Sequence, residues 1–240
     1  MDKLRVDQEL VRQKLISTRS QAESYIRLGK VKVNGKVILK TGFFVGRDVQ
    51  IEIIGEDRYV SRAGLKLASV TKKFDLNFKN KVVLDVGSST GGFTDFALQN
   101  GAKKVIAVEL GTMQLHPSLR GNSKIELREQ TDIRSLKKLS SEVDIVVIDV
   151  SFISLREILP SVLKLIQKKT IVVAMAKPQF EASNGNIKHK GVIKNEAIRR
   201  EILKNFEAWA SQFFYIADKQ DSDVSGEKGN KERFFLMSRL

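Results

Sequence analysis

Apolar positions follow two rhythms along this chain. Up to about residue 55 they form short helical groupings and brief alternations. From residue 60 on, solid apolar runs alternate with longer stretches of helical spacing. In the first part, Val6, Leu10 and Val11 fall at helical spacing. Ala22, Tyr25, Ile26 and Leu28 share the inner face of a second helix, which Ser17 or Thr18 can cap and Gly29 ends. Val31-Lys-Val-Asn-Gly-Lys-Val37 then alternates around an Asn-Gly pair, a strong hairpin signal. Val45 and the run Val49 to Ile53 complete one small sheet, and polar Gly55 to Tyr59 reads as a short linker.

In the second part the pattern predicts strands at 82–87, 103–109, 124–128, 143–149, 170–176, 212–219 and 232–238. Helices are predicted at about 61–72, 91–100, 133–139, 154–168 and 195–211. Such alternation gives a mostly parallel sheet with helices on both faces. The last two strands have no helix-sized insert between them, so they pair antiparallel. The expected fold is α/β, a Rossmann-like seven-stranded sheet over residues 61–240, with a small α+β domain over 1–55 and a linker at 56–60.

The first strand of that sheet runs into a glycine turn, Val82-Val-Leu-Asp-Val-Gly-Ser-Ser-Thr-Gly-Gly-Phe-Thr94. Val82 to Leu84 read as a strand buried on both faces. Asp85 sets a carboxylate near its end. Gly87, Gly91 and Gly92 let the backbone turn tightly and approach a ligand. Strand, glycine turn and helix build a nucleotide-like pocket in a doubly wound sheet. The spacing is wrong for a dinucleotide fingerprint, and no Gly-Lys-Ser/Thr is present to hold a triphosphate. Glu109 ends the next strand, where an acidic side chain accepts hydrogen bonds from ribose hydroxyls. Asp132 follows the third strand and either meets an adenine amine or caps the next helix. Asp149 and Lys177 end the fourth and fifth strands, on the edge where such sheets bind ligands.

Composition narrows the chemistry. Among 240 residues there is no cysteine, which excludes disulfides, thiolate metal sites and a cysteine nucleophile. Two histidines, His116 and His189, are too few for a His-rich metal site, and no metal is expected. No secretory leader pattern follows Met1 and no apolar run has membrane-spanning length, so a cytoplasmic protein is expected. The chain carries 42 basic and 28 acidic residues, net +14, and 42% of it is apolar. Such an excess favours a polyanionic partner. It does not locate a face, because residues 1–60 hold 12 basic and 8 acidic side chains.

Whole motifs then match known families. Arg5 to Arg12, Ser17-Thr-Arg-Ser-Gln-Ala22 and Gly29-Lys-Val-Lys-Val-Asn-Gly35 resemble the S4 RNA-binding domain. That resemblance implies a basic face of Arg5, Arg12, Lys14, Arg19, Arg27, Lys30 and Lys32, gripping folded RNA through its backbone. Asp-x-Gly-x-x-x-Gly-Gly resembles the first motif of class I methyltransferases, which bind S-adenosylmethionine. The implied cofactor contacts are Asp85, Gly87, Ser88, Ser89, Thr90, Gly91, Gly92, Phe93, Glu109, Leu110, Asp132, Ile133 and Asp149.

Lys66, Asp149, Lys177 and Glu232 resemble the Lys-Asp-Lys-Glu tetrad of FtsJ-like RNA ribose 2′-O-methyltransferases. Ser61-Arg-Ala-Gly-Leu-Lys66, Asp149-Val-Ser-Phe-Ile-Ser154 and Lys177-Pro-Gln-Phe-Glu181 extend the likeness over the whole chain to the TlyA/hemolysin A family. The chain has Glu109 where that pattern more usually has Asp, and Ser225-Gly226 where it often has Ser-Pro. The implied activity is methyl transfer from S-adenosylmethionine to ribose hydroxyls of ribosomal RNA, with ribosomal subunits as partners and no membrane required. Competing readings are a membrane-active toxin and a non-catalytic RNA-binding assembly factor. Phe180 to Lys194 has no period and is expected to be an RNA-facing lid, with His189 touching phosphate or water.

Overall fold

The computed structural model describes residues 3–16, 19–27, 29–54, 58–182, 192–193, 195–226 and 229–240. The expected caps Ser17 and Thr18, Leu28, the Gly55–Asp57 part of the linker, and residues 183–191 and 194 of the expected lid lie outside them, as does the side chain of Arg27. The chain forms two compact units, Met1–Arg58 and Tyr59–Leu240.

The first unit runs β1 (Lys3–Arg5), α1 (Val6–Arg12), α2 (Arg19–Arg27), β2 (Val31–Val33), β3 (Lys36–Val37), β4 (Phe44–Gly46) and β5 (Ile51–Ile53). Its core joins Val6, Leu10, Ala22 and Ile26 of the helices to Val31, Val33, Val45 and Ile51 of the strands. Neither helix is long enough to persist alone, so this shared core sustains both. The Asn34-Gly35 hairpin forms as expected, both residues at positive φ (+48° and +75°). The single small sheet does not. Val45 belongs to β4, which pairs antiparallel with β1, whereas β5 pairs with β2 in a separate three-stranded sheet. β1 is too short for an alternation to show in the sequence.

Among the described residues of this unit, two carboxylates are fully buried. Asp7 accepts from Arg5 (2.8 and 3.0 Å) and Arg19 (3.0 Å). Burial alone would raise its pKa, but the two guanidinium groups hold it below the ordinary range. Glu9 accepts from Arg12 (2.6 and 2.8 Å), Gln13 and the Asp48 amide, and Arg12 foremost pulls it down to about 2.

The second unit contains α3 (Arg62–Thr71), β6 (Val82–Val86), α4 (Gly92–Gln99), β7 (Lys104–Val108), β8 (Ile125–Arg128), β9 (Ile145–Ile148), α5 (Leu155–Leu165), β10 (Ile171–Ala176), α6 (Pro178–Glu181), α7 (Glu196–Ala210), β11 (Phe214–Asp221) and β12 (Arg233–Arg239). The sheet order is β11-β12-β10-β9-β6-β7-β8, parallel except that β12 runs antiparallel to both β10 and β11.

Strand residues alternate between two cores. Val83, Ile145, Val147, Val173 and Met175 pack with α3 and α4, while Leu84, Val86, Val146, Ile148, Val172 and Ala174 pack with α5 and α7. The predicted helix at 133–139 is instead a single 3₁₀ turn, Ile133–Ser135. Asp132 caps it through the Arg134 amide, and the chain turns extended at Leu136 (ψ 127°) so that Leu136 and Leu139 reach the core.

Candidate active site

β6 and β9 are hydrogen-bonded neighbours, yet the chain visits β7 and β8 on one side before crossing to β9 on the other. That reversal is the switch point where open parallel sheets bind ligands, beyond the strand ends. The glycine turn leaves β6 there, and Asp149 leaves β9 directly beside it, its amide bonded to the Val86 carbonyl at 3.0 Å. Gly87 has φ +80°, and a Cβ on it would sit 2.6 Å from the Asp149 carbonyl oxygen. Gly92 is needed for packing, because a Cβ there would strike the Ser61 hydroxyl and Ala63 at the start of α3. These two glycines therefore let the turn lie against its neighbours.

Three carboxylates surround the turn. Asp85 is buried and accepts the Thr94 hydroxyl at 2.7 Å. Burial pushes its pKa up to about 7; the Thr94 bond opposes this, and Asp149 and Glu109 add to it. Glu109 accepts the amides of Ser89 (2.9 Å) and Gly111 (2.7 Å), so it braces both loops. Among the described residues, neither Asp85 Oδ1 nor the buried Ser88 hydroxyl has a hydrogen-bond partner. A crevice with buried acceptors and clustered negative charge, in a strongly basic chain, suits a cationic ligand that brings its own donors. S-adenosylmethionine has that character: a sulfonium, an ammonium and ribose hydroxyls.

The tetrad residues assemble at the same edge. Lys177 follows β10 and pairs with Asp149 at 2.6 Å, and its ammonium also donates to the Ser151 hydroxyl at 2.7 Å. Ala176 is in register with Arg233, so Lys177 and Glu232 emerge on adjacent strands. Glu232 pairs with Lys66 of α3 at 2.5 Å. Lys66, Lys177 and Glu232 are only 7%, 8% and 3% exposed. Buried lysines this well paired are costly to build and strongly positioned.

Other expected contacts are placed differently. The Phe93 ring packs on Phe234 with centroids 6.1 Å apart, and Ile133 lies in the core beneath α5, so both side chains are committed to packing. Asp132 is a cap, its carboxylate held by the Arg134 amide and guanidinium. Ser89, Thr90 and Leu110 are exposed, and Gly91 at φ +90° packs over Leu115 and Leu119. In the first unit, Arg5 and Arg19 meet on Asp7, and Arg12 pairs with Glu9 and Asp48. Lys14 is exposed, Lys32 is half-buried on β2, and Lys30 lies over the Tyr25 ring, 5.6 Å from its centre.

Three further residues of the strand-end motifs have roles that no sequence pattern shows, and Glu181, expected as part of the lid, instead closes the short helix α6. Phe152 is 91% exposed at φ +65°, a conformation bulky residues rarely adopt, with its ring 5.4 Å from that of Phe180. Glu181 is buried, which pushes its pKa up, and accepts the Ser154 hydroxyl (2.6 Å) and the Leu155 amide (2.7 Å). Ser151 touches Lys177. Their shared signal is that all lie in the two motifs that end β9 and β10.

The FtsJ-like methyltransferase family model matches residues 59–239, and the S4 domain model matches residues 4–51. The chain belongs to the FtsJ-like methyltransferase family. It is 38% identical over 235 residues to YqxC of Bacillus subtilis, described as a candidate rRNA methyltransferase, covering 96% of this chain and 84% of that one. It is 33% identical over 238 residues to the 16S/23S rRNA (cytidine-2′-O)-methyltransferase TlyA of Mycobacterium tuberculosis, covering 97% and 89%. Among solved structures, a candidate hemolysin from Streptococcus thermophilus superposes with a TM-score of 0.77 at 36% identity, over 100% of this chain and 90% of that one.

Proposed function

We propose that this protein transfers a methyl group from S-adenosylmethionine to ribose 2′-hydroxyls of ribosomal RNA. The observation that carries the reading is the pair of buried ion pairs, Lys177–Asp149 and Lys66–Glu232, beside the glycine turn at the switch point. The relatives named as rRNA methyltransferases supply the substrate class.

When bound, the cofactor supplies a methyl carbon already activated by its sulfonium. Asp85, Ser88, Glu109 and Asp149 are the residues that would hold it, through acceptors and negative charge. What remains for the protein is to align a hydroxyl oxygen with that carbon and to ease loss of its proton. Lys177 does both in this reading, at the oxygen of the incoming ribose. Asp149 orients Lys177 and balances its charge. Glu232 does the same for Lys66. The first unit grips RNA through Arg5, Arg12, Lys14, Arg19, Arg27, Lys30 and Lys32. Arg5, Arg12 and Arg19 are held by internal carboxylates, which fixes their guanidinium groups before RNA arrives. Such a substrate sets the protein to work in the cytoplasm, on ribosomal subunits.

The test is incubation of the full chain with labelled S-adenosylmethionine and undermethylated ribosomal subunits, followed by nucleotide mapping. Label on a ribose 2′-oxygen is the expected result. Label on a base, or none, overturns the reading. No helix among the described residues is long and apolar enough to cross a membrane.

A further inference from the structure

The loops that follow β9 and β10 are joined at three successive points. Lys177 meets Asp149 and Ser151, the Phe180 ring meets Phe152, and Glu181 meets Ser154 and the Leu155 amide. The contacts advance in step along the two motifs. The strained backbone of Phe152, at φ +65°, is kept between the tied residues Ser151 and Ser154. Ser151 sits between two fixed points and is itself exposed. Its hydroxyl lies 2.7 Å from the Lys177 nitrogen, about as close as the Asp149 carboxylate at 2.6 Å.

An amine nitrogen on a side chain has three directions besides its own carbon. Ser151 takes one of them through a hydrogen bond, whereas the Asp149 oxygen lies 2.6 Å away without hydrogen-bond alignment and acts on the ammonium through charge. Charge alone leaves the nitrogen free to swivel, and the directional bond to Ser151 limits that rotation. Building on the reading of Lys177 given above, we infer that Ser151 is a positioning residue for methyl transfer, its hydroxyl fixing the direction in which Lys177 addresses the ribose oxygen. No other hydroxyl among the described residues contacts Lys177.

An isosteric pair of variants separates hydroxyl from bulk. Ser151→Thr keeps the oxygen and Ser151→Val replaces it with a methyl group; Ser151→Ala removes it. All three are made in the full chain and assayed on undermethylated ribosomal subunits, with S-adenosylmethionine affinity measured by calorimetry. Ala and Val are expected to lower kcat on the order of 10-fold, the scale of one hydrogen bond to a charged group, while KM for RNA and cofactor affinity stay at wild-type values. Thr is expected to retain most of kcat. Val as active as Thr, Ala at the wild-type rate, or loss of cofactor affinity in Ala and Val alike would each overturn the inference, the last by exposing a purely structural role. If wild-type protein places no label on ribose, the reading of the reaction fails instead, and the two failures are distinguishable.

Discussion

Lys177 is held from two sides, and that places its prediction at the scale of one residue. Lys177→Ala is expected to lower methyl transfer roughly 10²–10⁴-fold while leaving S-adenosylmethionine binding nearly intact, read by single-turnover assay and calorimetry; unchanged turnover would refute the assignment. Asp85 makes a second prediction. Its folded pKa of about 7 lies above the ordinary carboxyl value, so the folded state holds the proton more tightly than the unfolded chain. The stability this confers is complete below about pH 4 and is lost as pH rises through about 7. In Asp85→Asn, the drop in thermal midpoint between pH 4 and pH 8 should therefore shrink; an identical drop would show that Asp85 is not the titrating group. Much at this scale was legible early. Lys177 stood out as a lysine ending an unbroken apolar strand. Lys66 is singled out through its Ser61–Lys66 motif and the family resemblance, because by apolar pattern alone a lysine on an amphipathic helix looks like any surface lysine; its buried partner Glu232 lies 166 positions away.

Elements were read well where their apolar pattern was long enough to repeat. All seven strands of the large sheet and the helices at 62–71, 92–99, 155–165 and 196–210 fall within a few residues of expectation. The segment 133–139 was misread because Leu136 and Leu139 satisfy helical spacing equally well when an extended chain delivers them to the core. The three-residue β1 offered no period at all. In the first unit the buried carboxylates of α1 were invisible in the pattern, since Asp7 and Glu9 read as a polar helix face. Both have folded pKa values below their ordinary ones. Their contribution is present above the ordinary carboxyl range and is lost as pH falls, for Glu9 down to about 2. Glu9→Gln is expected to weaken amide-exchange protection across residues 3–54 at pH 7 and to match wild type near pH 2. Equal protection at pH 7 would remove Glu9 from the stability of this unit.

At the scale of the molecule, one chain joins a unit rich in paired arginines to a sheet with an acidic, cation-suited crevice. Charge reversal at Arg19 is a poor probe of RNA contact, because Arg19 also neutralises buried Asp7. Lys32→Glu is cleaner. It should weaken binding to ribosomal RNA at low salt and reduce the slope of log affinity against log salt by about 1, as measured by filter binding across a salt series; an unchanged slope would take Lys32 out of the RNA face. The sequence by itself determined the α/β class, the seven strands of the large sheet, the glycine turn and the strand-end residues Asp149 and Lys177, because apolar periodicity and chain reversal are local properties. Only the tertiary structure decided that Lys66 meets Glu232, that Ser151 and Glu181 clasp the loops after β9 and β10, that Phe93 and Ile133 serve the core, and that three arginines are spoken for by Asp7 and Glu9. Most of these contacts join residues far apart in the chain or on facing loops, and even the near ones, Arg5–Asp7 and Arg12–Glu9, depend on the burial of their carboxylates; burial and partners are chosen by how elements pack, which no local pattern records.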